Sequence, residues 1–193
     1  MKSITYTVQG LLPLLMNNPQ TVDPFNRYAR ERSAITSKRK KLDEDLLELR
    51  RLDIESKVYF DQELGVYVPS TWVVSSVLAN SWTRAKIKKS DIRSAVFPTQ
   101  PKLRLRYDGE NLVKSLEDLS QNGKFQTVML LKQQQVKVAK AMPIFHKWSF
   151  DVGLEFDDSI IEERTLVGLI EHGAKYGGFG DFRPTYGIAE VKF

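Results

Sequence analysis

Phe145-His146-Lys147-Trp148-Ser149-Phe150-Asp151-Val152-Gly153-Leu154-Glu155-Phe156 places Trp148, Phe150, Val152, Leu154 and Phe156 at every second position, with polar residues or glycine between them. A period of two is that of a β-strand with one buried and one wet face, and this many large apolar residues on one side require a central place in a core. Outward from that strand, Ile4, Tyr6 and Val8 alternate in Ser3–Gln9, and Ala189, Val191 and Phe193 alternate at the end of the chain. Between the central strand and the last, Ser159 with Glu162 predicts a capping box, and Leu166, Val167, Leu169, Ile170 and Ala174 predict an amphipathic helix.

Upstream, Lys57–Phe60 and Val66–Val68 read as a hairpin around Asp61–Gly65, and Pro69-Ser70-Thr71 opens a helix striped by Val74, Val77, Leu78 and Trp82. Leu103, Leu105 and Tyr107 alternate with Lys102, Arg104 and Arg106, which predicts a strand with one fully cationic face. Leu42, Leu46, Leu49 and Leu52 recur at helical spacing, Leu112–Leu119 suits a short helix, and Gln134–Met142 suits a projecting hairpin or exposed strand. Stripped of insertions at about 10–56 and 108–143, the order is βαββαβ. The expected fold is therefore α+β and ferredoxin-like (RRM-like): one antiparallel sheet with two helices on one face, in a single domain over residues 1–193 with basic insertions.

A chain of 193 residues can bury such a core without staples, and it has none, since it contains no cysteine. That excludes a disulfide framework, a cysteine-zinc knuckle, an iron–sulfur cluster and a thiol nucleophile, and two histidines leave little for a metal centre. No cofactor or metal is expected. The apolar run after Gly10 is short and interrupted by Pro13, so neither a signal peptide nor a membrane span is predicted, and a cytoplasmic protein is.

The net charge of +5 is the remainder of opposed blocks. Arg27–Lys41 carries +6, Trp82–Arg93 +4, Lys102–Arg106 three further cations, and Lys124–Phe150 five lysines without an acid; Asp43–Glu55 carries −4 and Asp151–Glu171 −6. Segregated charge of this kind lets a protein of modest net charge bind a polyanion, although each block alone is equally a solvated face. Candidate phosphate contacts are Lys38, Arg39, Lys40 and Lys41, then Lys86, Lys88 and Lys89, and Lys137 and Lys140.

Gly177-Gly178-Phe179-Gly180-Asp181-Phe182-Arg183-Pro184-Thr185-Tyr186-Gly187 is the most specific stretch. Four glycines after a helix are costly in folding entropy unless backbone must approach something closely. One reading is a concave anion site of exposed N–H groups at Gly178, Gly180 and Gly187, with Arg183 forking onto phosphate and Phe179, Phe182 or Tyr186 stacking on bases. The other is a helix cap and a tight return to the last strand. Neither a Walker loop nor a dinucleotide fingerprint fits, because no Gly-Lys-Ser/Thr is present and the glycines follow a helix.

A first strand near the N-terminus, Val66-Tyr67-Val68-Pro69-Ser70 running into a helix, and the C-terminal glycine-rich loop together resemble the RAMP superfamily, which supplies backbone and RNA-processing subunits of CRISPR effector complexes. Gly180-Asp181-Phe182-Arg183-Pro184 also resembles the Gly-Asp-Trp-Arg-Pro-like loop of phage proteins of this size. The resemblance implies a ferredoxin-like domain that contacts single-stranded RNA or DNA through its glycine-rich loop and basic insertions. It also implies a phage or mobile-element origin, work in a prokaryotic host cytoplasm, and self-association into a filament on nucleic acid. The leading expectation is a non-enzymatic single-stranded nucleic-acid-binding protein, with RNA ahead of DNA. The alternatives are a mimic of a CRISPR backbone subunit acting as an interaction or anti-CRISPR protein, and a metal-independent endoribonuclease using His146 or His172. His146 shares parity with Trp148 and predicts a core or interface histidine, while His172 sits late in a helix beside the loop. Asp157, Asp158, Glu162 and Glu163 read as helix capping, a metal site being the lesser reading.

Overall fold

The computed structural model of the chain describes residues 1–133 and 136–193, and the side chains of residues 1–130 and 138–193. In chain order its elements are β1 (Lys2–Gly10), β2 (Leu14–Leu15), α1 (Arg27–Thr36), α2 (Asp43–Lys57), β3 (Phe60–Asp61), β4 (Gly65–Pro69) and α3 (Thr71–Leu78). They continue as α4 (Ser81–Ala85), α5 (Lys89–Ala95), β5 (Val96–Pro98), β6 (Lys102–Arg104), α6 (Leu116–Gln121), β7 (Gln126–Gln133), β8 (Val136–Phe145), β9 (Ser149–Phe156), α7 (Glu163–His172) and β10 (Ala189–Lys192). The fold is mixed α+β with antiparallel sheets, and among the described residues no helix is long and apolar enough to cross a membrane.

The main sheet has the order β10-β1-β9-β5. Its register sets Val8 opposite Phe150, Tyr6 opposite Val152 and Ile4 opposite Leu154, so the alternating apolar residues of two strands share one face. Onto that face pack Val73, Val77 and Leu78 of α3 and Leu166, Leu169 and Ile170 of α7, in one cluster that also takes in Trp148, Phe150, Phe156 and Phe179. The opposite face carries Thr5, Thr7, Gln9, Asp151, Glu155, Glu190 and Lys192, with Phe97 at its edge, and no helix among the described residues covers it. A second sheet, β2-β8-β7, projects as a long hairpin, and a third, β3-β4-β6, holds the short hairpin before α3.

Four expectations are corrected by these contacts. The strand predicted at Leu103–Tyr107 pairs with β4 and touches the main sheet only through the bridge Arg106–Ser149, while β5 takes the sheet position beside β9. Its cationic face is neutralised: Lys102 pairs with Asp61, Arg104 with Glu110 at 2.7 Å, and Arg106 forks onto Asp151 at 2.7 and 2.9 Å. The Arg106 fork, helped by the Thr7 hydroxyl, holds the Asp151 carboxyl down to about 2. The helix expected to run through Trp82 breaks at Ala79–Asn80, so Trp82 leaves the buried stripe and is 54% exposed. The strand expected from Phe145 turns at His146–Trp148, where Lys147 has a φ of 48°, and His146 is an exposed turn residue rather than a core one. Ser159 donates its hydroxyl to Asp157 in a local turn, leaving α7 without a side-chain cap.

Lys57, at the end of α2, is a buried cation whose ammonium donates to the carbonyl of Ala141 and lies 3.7 Å from Asp53. Burial pushes its pKa from 10.5 down to about 8, with the Asp53 carboxylate opposing. Between those values the unfolded chain holds more protons than the folded one, so stability rises as pH climbs from about 8 towards 10. Above about pH 10 the sign reverses, because burial keeps Tyr6 and Tyr107 neutral while unfolded tyrosines ionise. Differential scanning calorimetry is expected to show Tm rising from pH 8 to near 10, with the rise absent in Lys57→Met. A wild-type Tm that is flat or falling over that range would contradict the assignment.

Candidate nucleic-acid interface

The glycine-rich loop holds itself together before it can hold anything else. Phe179 donates its N–H to Gly187 O, Asp181 to Leu15 O, Gly187 to Pro13 O, and Gly178 to Gly173 O, all between 2.8 and 2.9 Å. Phe182 donates to Asp181 Oδ1 and Tyr186 to Phe182 O. These amides are therefore committed to protein acceptors, and the concave anion site expected of the loop is not formed by them. Gly187 and Gly180 are required instead for close approach: a Cβ on Gly187 would lie 1.8 Å from Phe179 O, and one on Gly180 would lie 2.3 Å from Leu15 O. Gly178 likewise has a positive φ and faces Gly187 O.

Phe179 is 3% exposed, edge-on to Trp148 and Phe150, and cannot stack on a base. Phe182 and Tyr186 are half-buried against Leu15, Met142 and Ile144, at the foot of the β7–β8 hairpin. Arg183 is exposed between them, so of the loop's candidate residues it alone presents a free charge outward.

The remaining candidates fall into two regions. Lys38, Arg39, Lys40 and Lys41 are exposed between α1 and α2, where Lys38 is tied to Asp45 at 2.6 Å and Lys41 donates to Lys38 O. α2 runs along β8 towards Ala141, and half-buried Lys140 shares a groove with Arg32, Arg50 and Asp53. The side chain of Lys137 lies outside the described residues.

Lys86, Lys88 and Lys89 belong to the second region, around α4 and α5, all three exposed. The break at Asn80 turns α4 so that Trp82 and Arg84 face solvent, with the Lys86 ammonium 5.8 Å from the Trp82 ring centre. Arg93 follows on α5, also exposed. Among the described residues none of Arg84, Lys86, Lys88, Lys89 and Arg93 forms an ion pair, in contrast to the cations of β6. Uncommitted cations beside an exposed indole suit phosphates and a stacked base.

α4 packs against α7, and the groove between them, about 610 Å³, adds residues that the sequence analysis passed over: Arg164, Lys175 and Tyr176. For Arg164 and Lys175 the signal was present, because 164, 168, 172 and 175 fall on one helical face. His172 lies on the same wall, its Nδ1 3.2 Å from Asn80 Nδ2 and its ring 4.6 Å from that of Tyr176. Burial, and then the Arg84 charge, lower its pKa below the ordinary histidine value. Among the described residues no group of three or more metal-ligating side chains occurs; Asp157 is engaged by Ser159, and Asp158 by Lys2 and the N-terminal amine. Comparison of the chain with protein-family models and with curated proteins finds no match.

Proposed function

We propose that this chain is a non-enzymatic single-stranded nucleic-acid-binding protein of RAMP type, with RNA preferred over DNA, built on a ferredoxin-like βαββαβ core. The carrying observation is the set of exposed cations Arg84, Lys86, Lys88, Lys89 and Arg93 on α4, α5 and the link between them, without ion pairs among the described residues, with the Lys86 ammonium 5.8 Å from the ring centre of exposed Trp82. The order β10-β1-β9-β5, with α3 and α7 on one face, supports the ferredoxin-like reading. RRM-type recognition stacks bases on aromatics of the open sheet face. Here that face bears threonines and carboxylates, of which Asp151 is already paired with Arg106 and Glu190 with Lys192, and Phe97 stands only at its edge, so we assign the strand to the α4–α5 region, with Arg183 and the 38–41 turn as further contacts.

Binding of this kind is mainly counterion release, with log K falling against log salt by roughly 0.7 for each phosphate neutralised on a single strand. Fluorescence anisotropy with labelled oligouridylate and oligodeoxythymidylate of equal length is expected to show binding of both at low salt, tighter for the RNA. Affinity should fall steeply between about 50 and 200 mM salt. Absence of binding to either oligomer at low salt would overturn the proposal.

A further inference from the structure

Gly168 stands in the middle of α7, where glycine costs a helix about 1 kcal/mol relative to alanine. No packing need explains it, since a Cβ built there meets nothing within 4 Å. Its position is in the wall of the α4–α7 groove, one turn from Arg164 and one turn from His172, so the missing side chain leaves groove volume open.

The groove's lining is cationic with a single carboxylate, Glu171, and among the described residues Arg84, Arg164 and Lys175 pair with no acid. Asn80 Nδ2 donates to His172 Nδ1, which leaves the neutral imidazole's hydrogen on Nε2, a further donor. At one end stands Tyr176, 58% exposed, backed by His172, with the Lys175 ammonium 5.7 Å from its ring centre. Guanidinium forks recognise phosphate oxygens, and an exposed aromatic ring recognises a base. The volume falls within the few hundred to about 1,000 Å³ of sites for small ligands.

We propose that this groove is a nucleoside-phosphate site, with the phosphate held by Arg84 and Arg164, the base against Tyr176 at the end where Lys175 lies, and Gly168 providing the room. The ligand is a nucleoside 5′-phosphate, either free or at the end of a strand. The assignment stands on the groove's own geometry and does not depend on the extended interface around Lys86–Lys89.

Isothermal titration of the full chain with the four ribonucleoside 5′-monophosphates, inorganic phosphate and adenosine tests it. Saturable binding of at least one monophosphate is expected, tighter than inorganic phosphate, with adenosine weaker still. Gly168→Leu fills the groove while improving helix propensity, so it should melt no lower than wild type yet bind at least about tenfold more weakly. Arg164→Gln should weaken binding without changing the melting temperature. Oligonucleotides with a 5′-phosphate and a 5′-hydroxyl then separate the sources: preference for the phosphate assigns strand ends, and equal affinity assigns free nucleotides. No heat with any monophosphate at millimolar concentration would overturn the proposal. So would unchanged affinity in folded Gly168→Leu, or inorganic phosphate binding as tightly as the nucleotides. Binding of a 5′-hydroxyl oligouridylate is read beside these titrations: monophosphate binding without oligouridylate binding marks failure of the extended interface alone, and oligouridylate binding without monophosphate binding marks failure of the groove.

Discussion

Gly187→Ala is expected to lose about 4 kcal/mol of stability or more, near the upper end of single-substitution effects and a large part of the 5–15 kcal/mol that holds a typical domain. Gly187 has a φ of 73°, and its added Cβ would sit 1.8 Å from Phe179 O. That carbonyl cannot yield easily, because Phe179 donates its N–H back to Gly187 O and its ring packs edge-on against both Trp148 and Phe150. Gly187 N–H also donates to Pro13 O, so displacement of the loop pulls on the chain leading into β2. Urea denaturation followed by tryptophan fluorescence measures the loss. A variant within about 1 kcal/mol of wild type would show that the loop has slack that these distances exclude.

The triple charge reversal Lys86→Glu, Lys88→Glu and Lys89→Glu is expected to weaken binding of oligouridylate by at least about 100-fold at low salt and to shallow the log–log salt slope by about 2. The slope follows from removing three phosphate contacts at roughly 0.7 each, and the added negative charge lowers affinity further. All three side chains are exposed and unpaired among the described residues, so the melting temperature should hold. Neutralising Arg39, Lys40 and Lys41 should have a smaller effect, because those cations stand beside the acidic α2. Anisotropy across a salt series reads both quantities, and an affinity within twofold of wild type would remove the α4–α5 region from the interface.

The central strand and its partners were legible because period-two alternation in β1, β9 and β10 is a local property, and each apolar position it predicts within those strands is buried or packed against the core; Phe193, past the end of β10, is 56% exposed instead. The same rule placed Leu103–Tyr107 correctly as extended chain with Leu103, Leu105 and Tyr107 buried, yet could not say which sheet it would join. β5 has three residues, too few to show a period, although it occupies the edge of the main sheet. Trp82 was misplaced because helical spacing was extended across a break at Asn80 that no glycine or proline marks.

For the candidate site, the sequence by itself determined which segments carry surplus cations and where glycine is concentrated. Only the tertiary structure decided what those features do. Lys102, Arg104 and Arg106 are committed to Asp61, Glu110 and Asp151, partners that include one 45 residues away, whereas the cations of α4 and α5 have none among the described residues. Of the loop amides that looked free, Gly178 is taken by Gly173 and Gly187 by Pro13, while Gly168, an inconspicuous single glycine, faces open space. Composition counts charges and donors along the chain, but their availability depends on the acids and carbonyls that folding brings beside them, and those come from distant parts of the sequence.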